Sequence, residues 1–208
     1  MALTALTEGI AHLPVACDVP VQVVGGCAVY VDGSTPPTDT TPEPGWVTAV
    51  GFHPTQVAGV TAGNIESLVA RCVENGWVIG EVGLDYVKGS NWGHQRWVLG
   101  EFCRLATPLT PLVLHLRGAS SDPMGQEPLL DCQQLLDQAR TPLWVPLYLQ
   151  PFTGGASKVD EWLDTGRVVF YGVSGLIQYF TWGQIQGVRR IPTDRLLIET
   201  DSSHLGVG

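Results

Sequence analysis

Three side chains in this 208-residue sequence combine the types and spacing that could hold a divalent cation: Glu81, His115 and Asp201. Each belongs to a short apolar run, respectively Trp77 to Asp85, Pro111 to Gly118 and Arg195 to Asp201. Carboxylate oxygens together with an imidazole suit Zn, Mn, Mg or similar ions. A cation held there would acidify water, and a carboxylate on the last run could hold that water and take its proton. One strand-end His or Asp is more often a solvated or hydrogen-bonded structural residue. Three at successive strand ends are what point to a metal centre.

The elements that must position these groups recur along the chain. From residue 46 onward, apolar runs alternate with stretches of helical spacing. The runs are Trp46 to Pro54, Trp77 to Asp85, Pro111 to Gly118, Leu143 to Phe152, Val168 to Ile177 and Arg195 to Asp201. Helices are expected over Ala62 to Asn75, Gln95 to Thr107 and Glu127 to Arg140, with shorter ones over Lys158 to Asp164 and Ile185 to Arg189. The apolar runs are continuous rather than alternating, as in strands covered on both faces, so a parallel sheet wrapped by helices is expected. With an earlier strand over Val21 to Val31, seven strands are counted. An α/β, TIM-type (β/α)8 barrel needs eight, so the reading is a barrel of this type seen incompletely, lacking a first strand and the end of the domain. The chain reads as a single domain over 1–208, with 1–20 and the Pro/Thr-rich 33–45 irregular.

Composition narrows the function. Eleven Lys and Arg against twenty Asp and Glu give a formal net charge of −9. Such a balance argues against a groove that grips nucleic acid by basic side chains alone, but leaves room for a phosphate substrate neutralised by metal. No apolar run reaches the ~18 residues of a membrane span, so no membrane association is expected. The first basic residue is Arg71, which speaks against a secretory or mitochondrial leader. Five dispersed cysteines without a C-x-x-C pair exclude a zinc finger and read as reduced thiols of a cytoplasmic or nuclear protein. Of the seven tryptophans, Trp46, Trp77, Trp97 and Trp144 are expected to pack. Trp92 and Trp182, at loop–helix junctions, could stack on a base.

The strings GFHP (Gly51 to Pro54), GEVGLDY (Gly80 to Tyr86), the Gln95–Arg96 pair, PLVLHLRGA (Pro111 to Ala119), PFTGG (Pro151 to Gly155), YGVSGLI (Tyr171 to Ile177) and DRLLIETDSSHL (Asp194 to Leu205) follow one another in order. Together, over about residues 46 to 205, they resemble the TatD family of metal-dependent deoxyribonucleases, and are most similar to its animal members. The resemblance implies that Glu81 bridges two metals, that His115 is a ligand, and that Asp201 is both ligand and proton acceptor for the attacking water. Glu81 and Asp201 would be the catalytic pair. His53, Tyr86 and Arg117 match positions lining the substrate cleft, where imidazole or guanidinium could meet a phosphate oxygen. Asp85 is as suited to bracing its loop as to touching substrate.

The departures are equally specific. The family opens on a His-x-His-x-Asp motif, and no such string precedes Val21; His12 stands alone and reads as a surface residue. Where the family has a His before its C-F-T-G string, this chain has Gln150 followed by Pro151, and a neutral amide is a weak zinc ligand. The usual Pro-Tyr after E-T-D is Ser203-His204. Counting Glu81 with Asp201 for one metal and Glu81 with His115 for the other leaves each short of the three protein ligands of a catalytic zinc. The expectation is therefore a phosphodiesterase acting on DNA, an exonuclease by its class, with divalent metal ions (Mg, Mn or Zn) weakly bound if at all and activity impaired. A relative that keeps the fold without the chemistry, and a hydrolase moved to another ester or amide, are the alternatives. No stable protein partner is evident; open strand edges could pair two copies.

Overall fold

The computed structural model describes residues 25–31, 44–87 and 91–200. Seven strands lie side by side in chain order: β1 (Gly26–Tyr30), β2 (Trp46–Val50), β3 (Val78–Asp85), β4 (Leu112–Arg117), β5 (Leu147–Leu149), β6 (Val169–Val173) and β7 (Leu196–Ile198). Every neighbouring pair is parallel. Helices α1 (Ala62–Asn75), α2 (Trp92–Leu105), α3 (Gln126–Gln138), α4 (Ala156–Asp164) and α5 (Trp182–Arg190) fill the crossovers. This is the strand order of a TIM-type barrel, with seven of its strands among the described residues. Among those residues β1 and β7 each have a strand neighbour on one side only, and no helix is long and apolar enough to cross a membrane.

Strand residues alternate between two cores. Ile79, Val82, Leu84, Leu112, Leu114, Leu116, Leu147, Leu149, Val169 and Tyr171 face the helices, where they meet Leu99, Phe102, Leu136 and Trp162. Each fully buried large side chain there contributes roughly 1.5–3 kcal/mol. The opposite face carries a smaller cluster of Cys27, Ala49, Val78, Val113, Tyr148 and Leu197. That cluster joins β1 to β7, which a flat sheet could not do; the sheet curls around it. The four described thiols, Cys27, Cys72, Cys103 and Cys132, are buried and unbridged.

α1 forms over the expected residues for local reasons. The Thr61 hydroxyl accepts from the Asn64 N–H and the Asn64 side chain accepts from the Thr61 N–H, a reciprocal cap. Ile65, Leu68 and Cys72 make its buried stripe, and Gly76, in the left-handed region at φ 66°, ends it. α5 begins three residues earlier than its spacing suggests, because Thr181 and Gln184 form the same reciprocal cap. α2 likewise begins at Trp92 rather than Gln95.

Two further expectations are corrected. The strand read over Leu143 to Phe152 is only Leu147–Leu149. Pro142 and Pro146 break it, having no N–H for a ladder, and the segment between them is a turn. Trp144 sits on that turn and is 65% exposed, so it does not pack. Trp97 is 40% exposed on α2, stacked on His94 rather than buried. The tryptophan that fills the core is Trp162 of α4.

Candidate metal centre

The strand tips converge because of how β3 is built. Ile79 pairs with Leu112 and Val82 with Leu114, so β3 carries one residue more than β4 between these points. Such a bulge shifts the alternation by one residue. Ile79 and Val82 both face the helices, and after the shift Glu81, Gly83 and Asp85 take the inner phase while Val82, Leu84 and Tyr86 take the outer. The two glycines of the GEVG string make room for this. A Cβ on Gly80 would lie 2.4 Å from the Val113 Cβ, and one on Gly83 would lie 1.9 Å from the His115 carbonyl oxygen. No other residue fits either position.

Glu81 then meets His115, which holds the inner phase of β4 two residues beyond Val113. The His115 Nδ1 lies 2.8 Å from the Glu81 carboxylate and its Nε2 lies 3.3 Å from the Asp85 carboxylate. His53, beyond β2, joins them: its ring is 4.7 Å from that of His115, edge on. One ligand atom each from His53, Glu81 and His115 lie within 4.8 Å of one another. The Nδ1 of His53 is engaged by Thr55, 2.7 Å from its hydroxyl.

Electrostatics tighten the group. Burial alone would push the His115 ring down; hydrogen bonds and charge from Asp85 and Glu81 outweigh it and hold His115 at about 9. Burial would raise Asp85, yet the His115 hydrogen bond and charge, the Val87 N–H and the Arg117 charge bring it below the ordinary carboxylate range. The Val87 N–H donates to Asp85 at 2.9 Å, and the Asp85 N–H donates to the buried Gln95 side chain at 2.9 Å. Asp85 thus braces His115 from behind, as carboxylates do for metal-ligating imidazoles.

The remaining sequence-predicted residues fall in different places. Arg117 is exposed at the end of β4, on the inner phase above His115. Tyr86 stands apart from the cluster, 3% exposed on the helix side, and donates its hydroxyl to Asp131 of α3. Arg96 of α2 donates to the same carboxylate oxygen, and the exposed Trp92 ring lies 4.8 Å from Tyr86. Asp201, His12 and His204 lie outside the described residues. Sequence reading places His53 in the substrate cleft; in the structure it lies beside Glu81 and His115.

A second polar group, which sequence reading did not single out, lies deeper. The Tyr148 hydroxyl donates to Glu199 at 2.5 Å, from β5 to the residue just past β7. It passes over β6 at Gly172, where a Cβ would lie 2.3 Å from the Glu199 carboxylate and 2.6 Å from the Tyr148 hydroxyl. Burial first, then the Glu199 charge, push the Tyr148 phenol well up, so it stays a donor. Gln150 follows β5 and is 9% exposed; among the described residues its Oε1 is buried without a hydrogen-bond partner.

A divalent cation fits the residues present. Three donor atoms stand within reach of one another, one imidazole is braced from behind, and an oxygen donor remains unsatisfied at the next strand tip. Fold and site together define a parallel-barrel protein with a candidate metal site toward the carboxyl ends of its strands. The chain belongs to the TatD related DNase family, whose model matches residues 40–205. An uncharacterized metal-dependent hydrolase of Buchnera aphidicola is 31% identical over 140 residues, which cover 64% of this chain and 47% of that one. Among solved structures, YJJV, a TatD homolog from Escherichia coli K12, has a TM-score of 0.58 at 22% identity over 76% of this chain and 58% of that one. An uncharacterized amidohydrolase from Saccharomyces cerevisiae has a TM-score of 0.53 at 24% identity, over 77% of this chain and 57% of that one. The chain spans about half the length of the curated relative, 47%.

Proposed function

We propose that this chain is a metal-dependent hydrolase of phosphodiester bonds in DNA, trimming single-stranded ends as an exonuclease. The observation that carries the reading is the His53–Glu81–His115 cluster drawn from three successive parallel strands, with His53 just past β2, Glu81 within β3 and His115 in the second half of β4. A bound divalent cation supplies Lewis acidity, acidifying water and offsetting charge on a phosphoryl oxygen. His53, Glu81 and His115 hold it, and Asp85 fixes the His115 ring. Asp201 is proposed to hold the attacking water and take its proton. Arg117, exposed at the rim, is proposed to meet a phosphate oxygen by charge-assisted hydrogen bonds.

The strand-end face also carries stacking surfaces. Tyr179 is 76% and Trp182 70% exposed in the segment after β6, with the Arg189 guanidinium 5.5 Å from the Trp182 ring. Exposed aromatics with a nearby cation suit unpaired bases, and supply contacts that a chain of net charge −9 cannot draw from charge alone. Gln150, where a fuller metal site would have an imidazole, supports slower turnover.

The test uses purified protein stripped of metal and reloaded with Mn2+ or Mg2+, with an end-labelled single-stranded oligonucleotide. Stepwise shortening from one end is expected, falling at least about 100-fold in His115→Ala, since a ligand should cost more than its ~10–100-fold brace. Undiminished hydrolysis in that variant rejects the metal centre. An inert protein with every cation selects the relative that keeps the fold without the chemistry. Turnover of a panel of simple esters and amides, but not the oligonucleotide, selects a shifted substrate.

A further inference from the structure

Among the described residues, four tryptophans stay at least 40% exposed: Trp92, Trp97, Trp144 and Trp182. Trp144 precedes β5, at the end of the sheet away from the strand tips, and Trp97 is stacked on His94. Trp92 is different. It is the first residue of α2, which begins at the end of the sheet where β3 finishes. Its ring centroid lies 4.8 Å from that of Tyr86, tilted by 35°. Tyr86 is buried and donates its hydroxyl to Asp131, which Arg96 also grips. The ring behind Trp92 is therefore held rigid. Tyr86 directly follows Asp85, whose carboxylate lies 3.3 Å from His115, so the aromatic pair is built onto the strand end that braces the metal centre. Arg96 comes one helical turn after Trp92, on the same face of α2, and keeps 39% of its side chain exposed. A Cβ added to Gly93, the next residue, would meet nothing within 4 Å among the described residues.

We propose that Trp92 is a nucleobase-stacking site: an unpaired base of the substrate strand lies on the exposed part of the indole, and Arg96 stands beside the sugar–phosphate chain. The inference rests on the nuclease reading above and deepens it, because it names what is selected, a base free of its partner. Stacking tolerates any sequence, since every base has a π-face. A platform already held by Tyr86 loses little freedom when a base settles on it. Bases inside a duplex have both faces covered, so Trp92 favours single strands and frayed ends. Trp182 opens α5 after β6, three strand spacings from β3, roughly 14 Å around the sheet. One flexible strand can meet both rings.

The experiment measures binding, not turnover. The full chain with Mn2+ is titrated into a dye-labelled single-stranded oligonucleotide whose phosphorothioate links slow cleavage, and anisotropy gives the dissociation constant. Trp92→Ala is expected to weaken binding about fivefold or more, the lower end of what one stacked base is worth, and Trp92→Phe to restore most of it. Affinity for a blunt duplex is expected to stay within about twofold. Single abasic positions are then stepped along the oligonucleotide. One position is expected to cost the parent a similar factor and to cost Trp92→Ala nothing further; a ring that only packs on Tyr86 would lower stability without this position dependence. Photocrosslinking of the unmutated chain to strands carrying iododeoxyuridine is expected to mark Trp92, a readout that survives if the Ala variant fails to fold. Affinity within about twofold of the parent in Trp92→Ala, an abasic profile like the parent's, or adducts confined to other residues would each overturn the stacking site while leaving metal-dependent hydrolysis standing. A parent chain that binds no oligonucleotide at all overturns the nuclease reading with it.

Discussion

On one side of β3, His115 is held between two carboxylates, Glu81 and Asp85; on the other, Asp131 is held between Tyr86 and Arg96. Asp85 and Tyr86 are consecutive residues, so one strand feeds both groups. The inner group joins one imidazole to two anions, with a second imidazole alongside, and brings three ligand atoms within 4.8 Å of one another. The outer group pairs one anion with two donors and is complete as it stands. It ties the segment after β3 to α2 and α3. Polarity alone does not separate a functional cluster from a structural one. The separation comes from whether the donor set is closed among its own members.

Three substitutions test that distinction, in decreasing order of effect. Asp85→Asn removes the charge behind His115 and keeps an acceptor for the Val87 N–H. Mn2+ affinity should fall by about 10–100-fold, as for other braces of metal-ligating imidazoles; calorimetry that finds it unchanged would return Asp85 to a purely loop-bracing role. Asp131→Ala should lower unfolding free energy by about 1–3 kcal/mol, the cost of stranding buried partners. The value stays at that level because the Arg96 side chain is 39% exposed and partly resolvated. Urea denaturation measures it, and Mn2+ affinity of the folded protein should stay within about twofold; a large loss of metal would couple the two clusters. Trp182→Ala should touch neither stability nor metal, yet raise KM for a single-stranded oligonucleotide several-fold, within the ~1–3 kcal/mol worth of one stacked base. An unaltered KM would leave the exposed rim without a part in substrate binding.

Much of this architecture is legible in the sequence. Continuous apolar runs predict the seven parallel strands, and α1 has the expected bounds because Thr61 and Gly76 punctuate it locally. Glu81 and His115 come together as expected. What escapes is whatever depends on a shift or a curve. The extra residue in β3 carries no compositional mark beyond Gly80 and Gly83, yet it decides which way Glu81 points. The Tyr148–Glu199 bond spans two strand positions and exists only because the sheet bends around a residue lacking a side chain, Gly172. Asp131 gives no hint from within α3 that two donors from elsewhere will claim it. Pro142 and Pro146 are visible too, and lacking an N–H they cut β5 to three residues despite the apolar residues around them.

The bulge in β3 has a corollary for length variation in this segment. Removing a single residue between Ile79 and Val82 would restore the strict two-residue period with Val82 still opposite Leu114, leaving every later residue in its phase. Removing one later in β3, after Val82, would instead make everything downstream trade places: Tyr86 would swing toward the barrel axis, and Asp85 toward the layer between α2 and α3. Neither destination could use its new arrival, since a phenol makes a poor cation donor and a second acid beside Asp131 would repel it. A one-codon deletion there, adding no bulk anywhere, would disable both clusters at once.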